Sequence, residues 1–418
     1  MQTLADLRAA YDDIAGRQLS LDLTRGKPAA AQLDLSEALL SLPGPGRYRD
    51  SHGTDVRNYG GLDGLPELRE LFAPLLQVAP ENLLALSNAS LTLMHDSLAY
   101  AWMWGVPGGS RPWGEEPTRR FICPTPGYDR HFALCEAFGI EMIPVPSLAD
   151  GPDVEAIAAL VAVDPTIKGM WLVPTYANPD GTVVSPAAAR RLATMETAAP
   201  DFRIFLDNAY ALHHLTEAET PTADLVTMCG EAGHPDRVLL FASTSKITFP
   251  GAGVAFVGGS AANADWYRRH LSKQSIGPDK VNQLRHLLFF RDAAGIRAHM
   301  ARHREILAPK FAAVDAALSA RFGGPGQTVG VTWTRPAGGY FVSLDVVPGT
   351  AGRVVDLAAG LGVALTPAGS THPYGLDPED RNLRLAPSMP PLADVKQAMA
   401  AVALCVELAA VERQATGN

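Results

Sequence analysis

Charge and cysteine are both scarce in this chain: charged residues make up 19% of its 418 positions, and there are four cysteines. Cys123, Cys135, Cys229 and Cys405 form no CxxC pair, which removes the usual spacing of a zinc or dithiol site and suits free thiols in a reducing cytoplasm. Positive charge is not in excess either. Lys+Arg number 35 against Asp+Glu 44, a formal net charge of -9, opposite to the basic footprint of a nucleic-acid-binding surface. Small anionic ligands need only a local positive pocket and are not excluded. Long apolar runs are missing as well. The longest, "AMAAVALCVELAAV", is interrupted by Glu407 and falls short of the ~20 residues that span a bilayer. The opening "MQTLADLRAAYDDIAGRQ" carries acids on an amphipathic helical pattern, unlike a signal or transit peptide. No internal repeat or low-complexity segment interrupts the chain. These exclusions leave a soluble cytoplasmic globular protein, with no nucleic-acid or membrane partner expected and no metal site.

What the chain does have is alternation. Short β-rich runs stand at 83–86 (LLAL), 119–123 (RRFIC), 140–145 (IEMIPV), 168–173 (KGMWLV), 202–207 (FRIFLD), 237–243 (RVLLFAS) and 253–258 (GVAFVG). Most are separated by enough chain for a crossover helix, the pattern of a mainly parallel sheet covered on both faces. The last two are not. About ten residues, with Pro250 and Gly251 among them, are too few for a parallel return, so "GVAFVG" is expected to run antiparallel. Beyond 259 the pattern turns helical, notably over 280–320, and 329–418 mixes strands with helices. The expectation is an α/β fold: a large domain (49–300) with a seven-stranded, mostly parallel sheet, and a smaller α+β domain (301–418) on which residues 1–48 pack.

Ligands of open α/β sheets bind beyond the carboxyl ends of the strands. Here those ends lead into "SNASLT", "PTYANPDGTVVS", Asp207 with "NAYALHH", and "TSK" with Lys246. Each piece has an ordinary reading, as helix cap, turn, strand cap or surface lysine. Their convergence on one edge suits pyridoxal-phosphate chemistry. A desolvated lysine amine holds the cofactor's aldehyde, a carboxylate keeps the pyridine nitrogen protonated, and hydroxyls with free N–H groups at a helix start hold the phosphate.

The segments "TRGKP", "NYGGLDGLPELR", "STSKITFPGAG" and "NLRLAPS" occur in that order over essentially the whole chain. In them the chain resembles fold-type I pyridoxal-phosphate aminotransferases of the aspartate aminotransferase superfamily. The resemblance implies that Lys246 carries the cofactor and acts as general base, and that Asp207 pairs with the pyridine nitrogen. It implies that Tyr210 and Asn178 bond the ring hydroxyl, Asn178 also facing substrate. Ala89, Ser90 and Ser243 then hold the phosphate, and Tyr128 stacks on the ring, with His131 as rival. Tyr59 reaches the phosphate of the other subunit of a homodimer with shared active sites. Arg384 grips the substrate α-carboxylate and Gly26 lies over it.

One departure is plain. Where relatives place a phosphate-binding arginine after the lysine, this chain has Gly253. The implied activity is ping-pong transfer of an amino group between amino acids and 2-oxo acids, aspartate and 2-oxoglutarate first. Alanine or aromatic acids, or a lyase reaction on the same fold, are the alternatives. Lys280, Arg285 and Lys27 are the candidate cations for a distal carboxylate. Ser243 and Lys246 form S-x-x-K, yet the serine follows a strand and the companion motifs of serine β-lactamases are missing. His299 and His303 share a helix face without the glutamate of a zinc protease, and read as an exposed pair.

Overall fold

The computed structural model describes residues 3–324 and 330–416. At its centre is a sheet of eight strands: β1 (Leu83–Ala85), β2 (Arg120–Thr125), β3 (Glu141–Leu148), β4 (Gly151–Pro152), β5 (Ile167–Leu172), β6 (Arg203–Asp207), β7 (Val238–Ser243) and β8 (Ala255–Gly259). Their order across the sheet is β1-β8-β7-β6-β5-β2-β3-β4. All seven expected strands are present. β8 runs antiparallel to both β1 and β7, as its short return requires. The sheet differs from expectation at one edge, where β4 adds an eighth strand antiparallel to β3. At two residues, one of them proline, β4 is too short to show a periodic pattern.

Every residue of β5 and β6 is buried, because helices cover both faces of the sheet. Alternate side chains divide between two cores. Ile122, Met170, Leu206 and Leu240 join one. Their neighbours Phe121, Trp171, Phe205 and Phe241 join the other, the period-two geometry of a strand. The buried Lys168 is neutralised by Asp201 at 3.0 Å and Glu116 at 3.2 Å.

A third core gathers Leu7 and Leu23 with Phe311, Leu344, Leu385 and Val402. It lies against a three-stranded antiparallel sheet of Thr332–Trp333, Val342–Asp345 and Asn382–Leu385. The N-terminal segment is stitched to it by parallel pairing of Leu21–Asp22 with Val363–Ala364. The expected helical stretch is two helices, Lys280–Phe290 and Ala293–Phe322. Arg291, at φ 68°, stops the first, and Asp292 caps the second through Gly295 N at 2.7 Å. The second helix, about 45 Å long at ~1.5 Å per residue, gives Ile296 and Met300 to the first core and Phe311, Val314 and Leu318 to the third.

His299 and His303 on that helix are buried, not exposed. His299 Nε2 lies 2.8 Å from the Ile247 carbonyl and 3.1 Å from His303 Nε2, and His303 Nδ1 lies 3.0 Å from Gln32 Nε2. The face that reads as polar in sequence is covered by the N-terminal segment and the chain after Lys246.

Candidate active site

β1, β2, β5, β6 and β7 are parallel to one another, so their carboxyl ends open on the same edge of the sheet. A cavity of about 500 Å³ lies there. Six of the expected site residues line it: Gly26, Tyr128, Asn178, Tyr210, Lys246 and Arg384. Lys246 stands three residues beyond β7. Its Nζ lies 4.8 Å from the Tyr210 ring centroid, and its carbonyl accepts a 3.3 Å hydrogen bond from Tyr340. Burial lowers the pKa of the Lys246 amine, and the Asp207 carboxylate opposes that shift. Desolvation favours the neutral amine, the form that can act as nucleophile or base.

Asp207, the last residue of β6, is buried. Its Oδ2 lies 3.1 Å from His131 Nε2, whose ring is stacked on Trp171 at 4.3 Å. Its Oδ1 is buried without a hydrogen-bond partner, as is Asn178 Oδ1. The buried Tyr210 has its phenol pKa raised by burial. Tyr128 is pushed up to about 12, by burial first and then by the Asp207 and Asp129 charges. Both are phenols at neutral pH, able to donate as well as accept.

Ser243 donates to Ser245 Oγ at 3.1 Å, and Ser245 donates to the Asn88 carbonyl at 3.0 Å. These bonds tie the lysine loop to the start of the helix Ser90–Trp104, which follows Ala89 with no side-chain cap. The first N–H groups of such a helix have no intrahelical acceptor. Gly253 is closely packed: a Cβ there would stand 3.1 Å from both the Asn88 carbonyl and Thr244 Oγ1, so an arginine would need both neighbours to give by a few tenths of an ångström. Gly26 is more crowded still, with Phe341 Cζ at 2.4 Å from a Cβ. Arg384 packs over Phe341 at 5.1 Å, and its Nη1 donates to Asp129 Oδ1 at 2.8 Å.

Other expected residues lie elsewhere. Tyr59 is 82% exposed and does not line the cavity. Lys280 is buried, its ammonium donating to the Asn58 and Gly60 carbonyls at 2.8 and 2.6 Å, so it is no free cation for a substrate. Arg285 lines a second cavity, of about 340 Å³, beside Asn88 and Gly253. Of the three candidate cations only Lys27 lines the cavity of Lys246, together with Arg25 and Arg130. His131 serves Asp207 rather than the cavity wall, where Tyr128 stands. Sequence reading passed over Asp129, Arg130 and Phe341. The first two directly follow Tyr128, so the motif that gave the tyrosine contained them.

The donor set fits a phosphorylated pyridine aldehyde. It offers a lowered-pKa lysine amine, a buried carboxylate oxygen and a buried amide oxygen lacking partners, and hydroxyls beside an uncapped helix start.

The sequence profile of the family described as aspartate amino-transferase matches residues 1–418. A Mycolicibacterium smegmatis protein is 57% identical over 404 residues, covering 96% of this chain and 94% of that one. The aspartate aminotransferase of Corynebacterium glutamicum is 50% identical over 410 residues, 98% of this chain and 94% of that protein. A crystal structure of an aspartate transaminase from Corynebacterium glutamicum superimposes with a TM-score of 0.95 at 50% identity, covering 98% of this chain and 96% of that one.

Proposed function

Because the chain belongs to the aspartate amino-transferase family and is an aminotransferase, we propose that it uses pyridoxal phosphate to move the amino group of aspartate to 2-oxoglutarate. The observation that carries the reading is that Lys246 and Arg384 face one cavity of about 500 Å³. A base and a carboxylate grip are thereby set around the same substrate. Lys246 holds the cofactor. Asp207 would hold its ring nitrogen, Tyr210 and Asn178 its ring oxygen, Tyr128 its face, and Ser243 with the N–H groups at Ala89 and Ser90 its phosphate. When bound, the group supplies an electron sink for a carbanion at the substrate Cα.

The chain supplies the rest. Arg384 fixes the α-carboxylate, and Gly26, whose missing Cβ leaves room for the Phe341 ring, lies over it. Lys246 Nζ, favoured in its neutral form by burial, takes the Cα proton as general base and, as the ammonium so formed, gives it up again as general acid. Arg25, Lys27 and Arg130 at the rim suit a second carboxylate, which favours dicarboxylic substrates. One cavity serves donor and acceptor in turn, so the kinetics are ping-pong.

The reading includes a homodimer with shared active sites, supported by Tyr59, a largely exposed tyrosine beside a fixed loop. It also includes the division at 1–48, 49–300 and 301–418, supported by the separate apolar cores. A cytoplasmic setting is consistent with four free, buried cysteines and with no helix among the described residues long and apolar enough to cross a membrane.

The deciding experiment adds single amino acids to the cofactor-loaded enzyme and follows its visible absorbance. Aspartate and glutamate are expected to convert the aldehyde form to the amine form. Conversion by alanine or aromatic amino acids with none by aspartate would overturn the substrate assignment. Borohydride reduction followed by peptide mapping should tag Lys246, and a tag elsewhere removes it from its role.

A further inference from the structure

We propose that Asp129 is a built-in competitor for Arg384, a carboxylate of the chain itself that occupies the guanidinium until a substrate carboxylate replaces it. The inference rests on the reading of Arg384 as the group that binds the substrate's α-carboxylate.

Three features of the pair support exchange rather than a fixed structural bridge. First, the Arg384 side chain is 7% exposed, and a guanidinium that buried requires a counter-charge. Asp129 is the one carboxylate among the residues lining the cavity, against Arg25, Lys27, Arg130, Lys246 and Arg384. Second, the pairing is incomplete. Arg384 uses Nη1 toward Asp129 Oδ1 at 2.8 Å, while its Nε is buried without a partner. A planar guanidinium can take a carboxylate through two parallel bonds, so an incoming carboxylate has more to gain there than Asp129 obtains. Third, Asp129 has somewhere to go. Its side chain is 35% exposed, and it opens the helix Asp129–Ala137, whose N-terminal dipole favours an acid in the first turn. Replacing one carboxylate by another leaves neither Arg384 nor Asp129 as a buried, uncompensated charge.

The consequence is a lower substrate affinity than Arg384 alone would give, together with a guanidinium kept compensated in the unliganded enzyme. The test uses cofactor-loaded enzyme and succinate, a dicarboxylate with no amino or oxo group to react. Calorimetric titration of Asp129→Asn should show succinate binding about three- to tenfold tighter than wild type, the release of one partly buried ion pair. The unliganded variant should melt at a lower temperature, and succinate should raise that temperature by more than it raises wild type's, since ligand stabilisation follows affinity. Asp129→Ser, which cannot hold the guanidinium, should behave likewise. A merely structural bridge would lower the melting temperature and leave the succinate affinity as it was. Unchanged or weaker binding in both variants, with binding lost in Arg384→Lys, overturns the proposal and leaves Arg384 in its role. Wild-type succinate affinity in Arg384→Lys overturns the underlying reading instead.

Discussion

His131 Nε2 lies 3.1 Å from Asp207 Oδ2, and both side chains are almost wholly buried. The imidazole is held flat on Trp171, 5° from parallel, and Trp171 Nε1 donates in turn to Cys135 Sγ at 3.2 Å. One oxygen of the strand-end carboxylate is therefore occupied from beneath while the other, Oδ1, has no partner. The carboxylate's orientation is thus set by a residue 76 positions away in the chain.

Replacing His131 by phenylalanine keeps a ring on Trp171 and removes the hydrogen bond. We expect kcat for aspartate to fall about tenfold, the cost of ~1.4 kcal/mol for one buried charge-assisted bond. KM should change little, because Arg384 is untouched and the phenylalanine ring keeps the edge contact that His131 makes with Tyr128, 5.0 Å between ring centroids. Steady-state kinetics with both substrates varied checks this. A kcat within a factor of two of wild type would show that Asp207 needs no such partner.

Gly26 tests the roof of the cavity. A Cβ there would approach Phe341 Cζ to 2.4 Å, and the Phe341 ring also packs under Arg384. Gly26→Ala should therefore displace Phe341 and raise KM for aspartate by about tenfold, within the ~1–3 kcal/mol cost of overpacking. The free enzyme should keep its cofactor absorbance, since the atoms nearest the new Cβ all belong to Phe341, and Phe341 meets Tyr210 only at 6.5 Å between ring centroids. Kinetics and a visible spectrum of the same sample separate the two effects.

Much of this arrangement is legible in sequence because strand ends are. β6 closes on Asp207 and β7 runs into Lys246, and a parallel sheet must bring those ends to one edge. The Pro250-Gly251 return likewise fixes the direction of β8 by its length alone. What sequence does not carry is pairing between distant elements. Lys280 reads as a candidate cation for a distal carboxylate until the Asn58 and Gly60 carbonyls are seen to hold its ammonium. His299 and His303 read as an exposed helix face because nothing local announces that Gln32 covers them. The Arg384–Asp129 pair joins residues 255 positions apart, and no motif spacing encodes it.

Lys280 supports the loop that presents Tyr59. Its ammonium bonds the carbonyls on either side of that tyrosine, and its stem lies 3.2 Å from where a Cβ of Gly61 would stand. Lys280→Met removes both bonds to this largely exposed loop, about 0.5–1.5 kcal/mol each, and frees the loop. If Tyr59 reaches the cofactor phosphate of a second subunit, Lys280→Met and Tyr59→Phe should each weaken cofactor binding severalfold. The double variant should be no weaker than the worse single one, because the two act through one contact. Cofactor affinity measured by fluorescence titration decides this, and fully additive losses would separate the lysine from the tyrosine.

Buried histidines set the acid limit of the fold. Burial lowers His213 and His303 from the ordinary 6.5 to about 3, and His286 to about 4. Each pKa is depressed in the folded state, so the unfolded chain takes up protons first as pH falls. Their contribution to stability is whole above about pH 6.5 and is lost progressively between 6.5 and 3. At pH 5 each fully buried histidine costs about 2 kcal/mol at ~1.36 kcal/mol per unit. His303→Gln keeps a polar group beside His299 and Gln32 and does not titrate. Urea unfolding at pH 7.5 and pH 5 should show the variant less stable than wild type at the higher pH and losing less on acidification. Equal acid losses in the two proteins would place the titrating groups elsewhere.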